Sequence, residues 1–258
     1  MDESFRDFYS RERRVYEGTL EEELGKRKFE IENKRMLYYI TRELKLLFPS
    51  GINNVLDVGG GIGATLYSIS QYVKISNAYS VDLYIPPEYI QKVLHNIKFV
   101  NATVYDLSKI FNENFFDVVL LIDVIEHLFD TDKAIAEIRK VLRKDGFLVI
   151  STPNLSSFAN RLLLLFGYQP LGTEVSTNKH YGRPKKYNLR EGVVSHIRVF
   201  SYKALLEFLK DNGFEVIKAY TVINNWPKEY SLLHHIEKFL ITINKSLGSR
   251  ILVIGKKV

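Results

Sequence analysis

Short apolar runs alternate with segments of helical periodicity through most of the chain, and this alternation limits the fold more than any other feature. The runs are β-branched and aliphatic on both faces, which is typical of strands buried on both sides of a sheet. Helical segments between such strands favour a parallel arrangement with helices covering both faces. The prediction is an α/β fold with a doubly wound, mostly parallel sheet of seven strands: Val55–Val58, Ala78–Leu83, Ile97–Asn101, Phe116–Ile122, Phe147–Thr152, Phe214–Tyr220 and Ile251–Ile254.

The predicted helices between these strands cover residues 62–73, 87–95, 131–143, 201–212 and 230–246. Thr131 and Ser201 each precede or open a helical stretch, and both are residue types that cap helix N-termini. The first fifty residues are charged and become helical from about Thr19. We therefore expect a helical cap over residues 1–50 and one main domain over residues 51–258.

Residues 155–200 interrupt the strand–helix rhythm after the fifth strand. They begin with a short, very apolar helix that Gly167 and Pro170 end. Ligands of open α/β sheets bind at the carboxyl ends of the strands. We expect this insertion to lie over that edge and to shape the site of an acceptor.

The composition excludes several kinds of chemistry. Cysteine is absent, which rules out disulfides, thiolate metal sites and cysteine nucleophiles. The longest apolar runs, Val118–Ile122 and Leu162–Phe166, are too short to span a membrane, and the first residues are charged rather than apolar. A cytoplasmic protein is expected.

A cluster of glycines follows the first predicted strand directly. Glycine allows a tight turn and lets a ligand approach the backbone closely. Gly59-x-Gly61-x-x-Ala64 satisfies the loose dinucleotide pattern, so a nicotinamide-dependent oxidoreductase is one alternative. Asp57 argues against it, because a buried carboxylate needs a positive partner and would repel a pyrophosphate. A ligand that carries an ammonium and a sulfonium would suit Asp57 better.

The pattern Asp57-x-Gly59-x-Gly61 resembles the first motif of class I S-adenosylmethionine-dependent methyltransferases. Acidic residues at three later strand ends agree with this family in order and spacing. The resemblance implies a Rossmann-like methyltransferase fold, S-adenosylmethionine as cofactor and S-adenosylhomocysteine as product. It implies that Asp82 holds the ribose hydroxyls and Asp106 the adenine amino group. The cofactor-binding residues it implies are Asp57, Gly59, Gly60, Gly61, Asp82, Leu83, Asp106, Leu107 and Asp123.

A hydroxyl acceptor needs a general base, and histidine is the side chain best suited to that role near neutral pH. His127, beyond the fourth strand, and His196, where the chain returns from the insertion, are the two candidates. Asp123, Glu126 and His127 resemble a turn of quinone-biosynthesis O-methyltransferases that bears on a divalent metal. Neighbouring residues such as Glu126 and His127 converge only from an irregular turn, so we predict no metal site.

Basic residues are concentrated in the last third of the chain. Residues 155–258 carry 16 basic and 7 acidic side chains, whereas residues 51–154 carry 9 basic and 12 acidic ones. This imbalance favours an anionic acceptor, and the insertion resembles those of methyltransferases of surface-glycan biosynthesis. The expected function is O-methylation of a small molecule or glycan precursor.

An RNA methyltransferase using the basic last third is the other alternative, but nucleic acid is not expected because few aromatic residues lie among the basic ones. The apolar helix of the insertion leaves peripheral membrane contact and a homodimer open.

Overall fold

The computed structural model describes residues 20–83, 85, 96–184, 196–223 and 231–258. Its centre is one seven-stranded sheet in the order β3-β2-β1-β4-β5-β7-β6. Strands β1 to β5 are parallel, and β7 runs antiparallel to both β5 and β6. The strands are β1 (Ile52–Val58), β2 (Ile75–Asp82), β3 (Ile97–Asn101), β4 (Phe116–Ile122), β5 (Leu142–Pro153), β6 (Phe214–Val222) and β7 (Arg250–Lys257). The predicted fold class and its seven strands are confirmed.

Helices pack on both faces of this sheet. They are α1 (Leu20–Glu32), α2 (Met36–Leu47), α3 (Ala64–Ser70), α4 (Leu107–Ile110), α5 (Thr131–Val141), α6 (Phe158–Leu165), α7 (Tyr202–Asp211) and α8 (Ser231–Ile243). Three-residue 3₁₀ turns lie at Val104–Asp106, Ile125–His127 and Lys245–Leu247. The helix predicted over residues 87–95 lies outside the described residues.

The strand residues alternate between two hydrophobic cores, as strands buried on both faces must. Val55 and Val118 face the core formed with α2 and α3. Their neighbours Leu56 and Val119 face the core formed with α4, α5 and α7. Because both sides of the central strands are covered, functional groups can reach solvent only at the strand ends.

Two local features differ from the sequence predictions. The N-terminal segment forms two helices rather than one, and the chain turns between them at Lys34, which has a positive φ. The side chain of Asp130, not Thr131, caps α5 by accepting a hydrogen bond from the Lys133 amide. Asp130 has the extended backbone that an N-cap requires, whereas Thr131 is already in the helix. Ser201 caps α7 as predicted.

The strand order reverses direction between β1 and β4, which lie side by side. The connection after β1 leads to one edge of the sheet, and the chain returns to β4 on the other side. In open α/β sheets, such a reversal places the ligand-binding crevice at the carboxyl ends of the two strands, which here are β1 and β4. The glycine-rich turn and the Ile125–His127 turn both lie at this crevice.

Candidate active site

The glycine-rich turn after β1 has no room for a side chain at Gly59 or Gly60. Gly59, Gly61 and Gly63 have positive φ angles, which glycine adopts without strain. A Cβ on Gly60 would lie 2.5 Å from the Ser80 hydroxyl and 2.8 Å from the Asp57 carboxylate. A side chain on Gly59 would collide with Val124 of the turn that follows β4. The turn therefore presents bare backbone to the crevice and packs closely on both neighbouring strands.

Asp57 ends β1 beneath this turn and is buried. No donor among the described residues forms a hydrogen bond with its Oδ2 atom. Burial raises the pKa of the Asp57 carboxyl to about 7, the Arg27 charge opposes this rise, and the Asp82 charge adds to it. A buried carboxylate with an unsatisfied oxygen is a ready partner for a cationic ligand.

Arg27 is a site residue that the sequence did not reveal. It lies on α1 and borders a small cavity together with Thr65, Asp123 and Arg250. Its guanidinium lies 3.7 Å from Glu23 and 3.8 Å from Glu30, and no acceptor among the described residues reaches its buried Nε atom. Arg250 forms an ion pair with Asp123. Two cations, Arg27 and Arg250, and two carboxylates, Glu30 and Asp123, thus line this cavity beside the end of β4. The sequence carries no signal for Arg27, because it lies thirty residues before Asp57 in a helix with many charges.

The remaining predicted cofactor residues lie along the same edge of the sheet. Asp82 ends β2, and its Oδ2 accepts a hydrogen bond of 2.9 Å from the Gly61 amide. Leu83 follows it and is exposed. Asp106 forms an exposed ion pair of 2.7 Å with Lys109, whereas the Leu107 side chain is fully buried in the core. Leu107 can therefore contact a ligand only through its backbone.

These groups fit S-adenosylmethionine. The amino-acid end of that molecule carries an ammonium and a carboxylate, which match the orphaned oxygen of Asp57 and the buried Nε of Arg27. The side-chain-free turn gives close access to the backbone, and Asp82 lies at the next strand end. The individual cofactor contacts stay predictions.

Replacing Gly60 by alanine is expected to destabilise the protein by about 1–3 kcal/mol, because the new methyl group overpacks against Ser80 and Asp57. Affinity for S-adenosylmethionine should fall as well, since Asp57 must shift. Denaturant unfolding and calorimetric titration measure the two effects. Gly25→Ala is the matched control: no atom lies within 4 Å of its new Cβ, and alanine favours the helix. Equal stability of the two variants would contradict this account.

The two predicted catalytic histidines lie together. Their ring centroids are 4.8 Å apart, although they are far apart in sequence. His127 ends the 3₁₀ turn after β4, and the His196 backbone is held by Glu174 of the insertion. The amides of Ile197 and Arg198 both donate to the Glu126 carbonyl, which fixes the returning chain against this turn. The structure therefore brings the insertion and the β4 turn into one cluster.

The orientation of His196 is set by a backbone carbonyl. Its Nδ1 lies 2.9 Å from the Gly172 oxygen, which can only accept, so Nδ1 carries the proton. In the neutral ring the lone pair is then on Nε2, which lies 4.0 Å from Glu126 Oε1. Glu174 lies 3.6 Å from Nδ1 and is itself paired with the buried Arg183.

Glu126 is buried, and the Thr152 hydroxyl donates to its Oε2 atom at 3.0 Å. Burial raises the pKa of the Glu126 carboxyl to about 7, while the charge of His127 opposes the rise. Glu126, Glu174 and Arg183 were not among the predicted site residues. The Glu-His pair in the sequence was a signal for Glu126, and no signal pointed to the other two.

Glu126, His127 and His196 can each place one ligand atom within 4.8 Å of the others. The 3₁₀ turn is the irregular turn that lets the adjacent Glu126 and His127 converge. Two imidazoles and one carboxylate are donors that suit several divalent transition metals. The geometry permits a metal, and the prediction that there is none stays a prediction.

Comparisons with known proteins identify the family of this chain. A sequence profile described as a methyltransferase domain matches residues 29–219. The ubiquinone biosynthesis O-methyltransferase of Rickettsia typhi is 29% identical over 223 residues, which are 84% of this chain and 83% of that protein. The uncharacterized methyltransferase YcgJ of Bacillus subtilis is 30% identical over 122 residues, and this match spans 43% of the chain and about half of that protein, 47%.

A solved structure shares the fold. It is that of Burkholderia thailandensis 1,6-didemethyltoxoflavin-N1-methyltransferase with 1,6-didemethyltoxoflavin and S-adenosylhomocysteine bound. The two structures align with a TM-score of 0.51 and 20% sequence identity. The alignment covers 86% of this chain and 78% of the other. The profile covers most of the chain, which sets aside the nicotinamide alternative. The chain belongs to the S-adenosylmethionine-dependent methyltransferases.

Proposed function

We propose that this enzyme methylates a hydroxyl group of a small molecule, with His196 as the general base. The orientation of His196 carries the proposal: the Gly172 carbonyl holds Nδ1–H and leaves the lone pair on Nε2, beside Glu126 and His127. The Rickettsia relative that aligns over most of the chain is named an O-methyltransferase, which supports oxygen as the methylated atom.

S-Adenosylmethionine supplies a methyl group on a positively charged sulfur, ready for direct displacement. His196 Nε2 accepts the hydroxyl proton while the acceptor oxygen bonds to the methyl carbon and the carbon–sulfur electron pair stays on sulfur. Asp57 and Arg27 would hold the amino-acid end of the cofactor, which would align its methyl group with the acceptor oxygen. Glu126 stabilises the imidazolium that forms 4.0 Å away.

The acceptor itself is proposed only by class. An anionic sugar or glycan precursor, as expected from the sequence, is supported by the excess of basic residues after residue 154. Four of these, Lys185, Lys186, Arg190 and Lys228, lie outside the described residues. That nucleic acid is not a partner stays a prediction, and the homodimer stays an open alternative.

The test is a panel of acceptors incubated with S-adenosylmethionine. Phenols, sugar phosphates and nucleotide sugars are compared with analogues in which an amine replaces the hydroxyl, and the products are identified by mass spectrometry and NMR. We expect methyl ethers from at least one hydroxyl acceptor and none from its amine analogue. Exclusive N- or C-methylation would refute the proposal.

A further inference from the structure

Two helices of the C-terminal half expose large apolar side chains. Leu164, Leu165 and Phe166 lie at the end of α6, and Leu232, Phe239 and Ile243 lie on α8; all six are between 56% and 75% exposed. The α8 residues are spaced by seven and four, so they share one helix face. We call these six residues the apolar surface.

The two helices meet through the segment that follows α8. Arg161 of α6 donates to the Ser246 hydroxyl, and Asn154, just before α6, donates to the carbonyls of Ser246 and Gly248 at 2.8 and 2.6 Å. The N-terminal end of α6 and the C-terminal end of α8 are therefore fixed to each other through buried hydrogen bonds.

The exposed charged side chains on α6, on α8 and on the residues beside these two helices are all positive. Arg161, Lys238 and Lys245 are exposed on these elements. Glu237 is the single acidic residue within 154–168 and 231–249, and it is fully buried, where it accepts a hydrogen bond from the Ser249 hydroxyl. Exposed leucine and phenylalanine beside lysine and arginine, without exposed carboxylates, are typical of helices that lie in the interface of an anionic membrane.

We propose that the apolar surface docks on the face of an anionic lipid bilayer. Within the described part of the chain, no helix is long and apolar enough to cross a bilayer. The contact is therefore peripheral: the apolar side chains enter the headgroup region, and the three cations face acidic headgroups.

The apolar surface also adjoins the acceptor side of the active site. Asn160 of α6 exchanges two hydrogen bonds with the backbone of Leu171. The next residue, Gly172, holds His196. Docking would therefore bring the proposed acceptor site to the membrane, although the docking does not depend on the proposed function.

Vesicle co-sedimentation of the full chain tests the proposal without any acceptor. We expect binding to vesicles of equal parts phosphatidylglycerol and phosphatidylcholine, and about tenfold less to phosphatidylcholine alone. Binding should weaken strongly at about 1 M salt, where charges are screened within about 3 Å. Failure to bind the mixed vesicles at low salt would overturn the proposal.

Substitutions distinguish docking through the apolar surface from nonspecific hydrophobic binding to vesicles. The double variants F239S/I243S and L165S/F166S should each lose at least about tenfold in vesicle affinity, and K238Q/K245Q should lose the preference for anionic lipid. Leu46→Ser is the matched control, because Leu46 is equally exposed on α2 and lies outside the apolar surface. Unchanged binding of both serine variants would overturn the proposal. A wild-type dimer that F239S/I243S converts to monomer would also overturn it, since a second copy would then cover the surface.

Discussion

Asp57→Asn is expected to weaken S-adenosylmethionine binding by about 30- to 100-fold at pH 8, as measured by calorimetry. The carboxylate is buried, and no described residue forms a hydrogen bond with its Oδ2. A cationic ligand therefore gains a charge-assisted hydrogen bond worth about 2–3 kcal/mol. Asparagine has nearly the same shape but no charge. The variant should therefore fold and lose only the electrostatic part of binding.

The same carboxyl makes binding depend on pH. Burial raises the pKa of Asp57 to about 7, so it is about one-tenth ionised at pH 6 and about nine-tenths ionised at pH 8. A cation binds the ionised form, so wild-type affinity should rise about tenfold over this interval. The affinity of Asp57→Asn should change little over the same range.

The free energy of unfolding should change with pH in the direction opposite to the affinity for S-adenosylmethionine. The folded-state pKa lies above the unfolded value of 3.8, so the folded protein binds the proton more tightly. Stability of the ligand-free enzyme therefore falls as pH rises from about 4 to about 7 and levels off above that, with a total effect on the order of 4 kcal/mol. Asp57→Asn should remove this loss and be more stable than wild type at pH 8.

The contrast between binding and stability identifies a functional rather than a structural carboxylate. Asp145→Asn is the matched control, because Asp145 is exposed, pairs with Lys256 and lies near the amino end of β5, whereas the site lies at the carboxyl ends of the strands. It should leave cofactor affinity unchanged. An Asp57→Asn enzyme that is less stable at pH 8 yet binds S-adenosylmethionine normally would show that Asp57 only supports the turn.

The sequence could predict those parts of the site that lie at strand ends. Asp57, Asp82 and Asp123 follow apolar runs whose direction is fixed by the parallel sheet, so their common edge follows from the topology. Arg27 could not be predicted, because its place depends on how α1 packs beside α3, and polar surface helices have no period that fixes this. Glu174 and Arg183 lie in an irregular insertion, where buried ion pairs arise from loop geometry and leave no pattern.

His196 shows both the reach and the limit of sequence reasoning. A histidine where the insertion returns to the sheet was a reasonable base candidate, but its tautomer depends on the Gly172 carbonyl. A buried carbonyl 24 residues away is not visible in any local pattern. Only the three-dimensional structure shows which ring nitrogen carries the lone pair.

His196→Asn is expected to lower kcat for the hydroxyl acceptor by about 10²- to 10⁴-fold, the range for loss of a general base. The asparagine amide can replace Nδ1–H in the hydrogen bond to Gly172 but has no group at the position of Nε2, so the insertion stays in place while the base is lost. KM and S-adenosylmethionine affinity should change little, because neither depends on proton transfer.

His235→Asn, on the exposed face of α8, is the control and should keep full kcat. If His196 merely held the insertion against the β4 turn, His196→Asn would retain activity and His196→Ala would lose it. Equal and large losses of kcat in both variants, with intact folding and cofactor binding, require a chemical role for Nε2. Because Nε2 lies 4.0 Å from Glu126, and the Glu126 carbonyl accepts from the amides of Ile197 and Arg198, that role depends on the contact between the returning chain and the β4 turn.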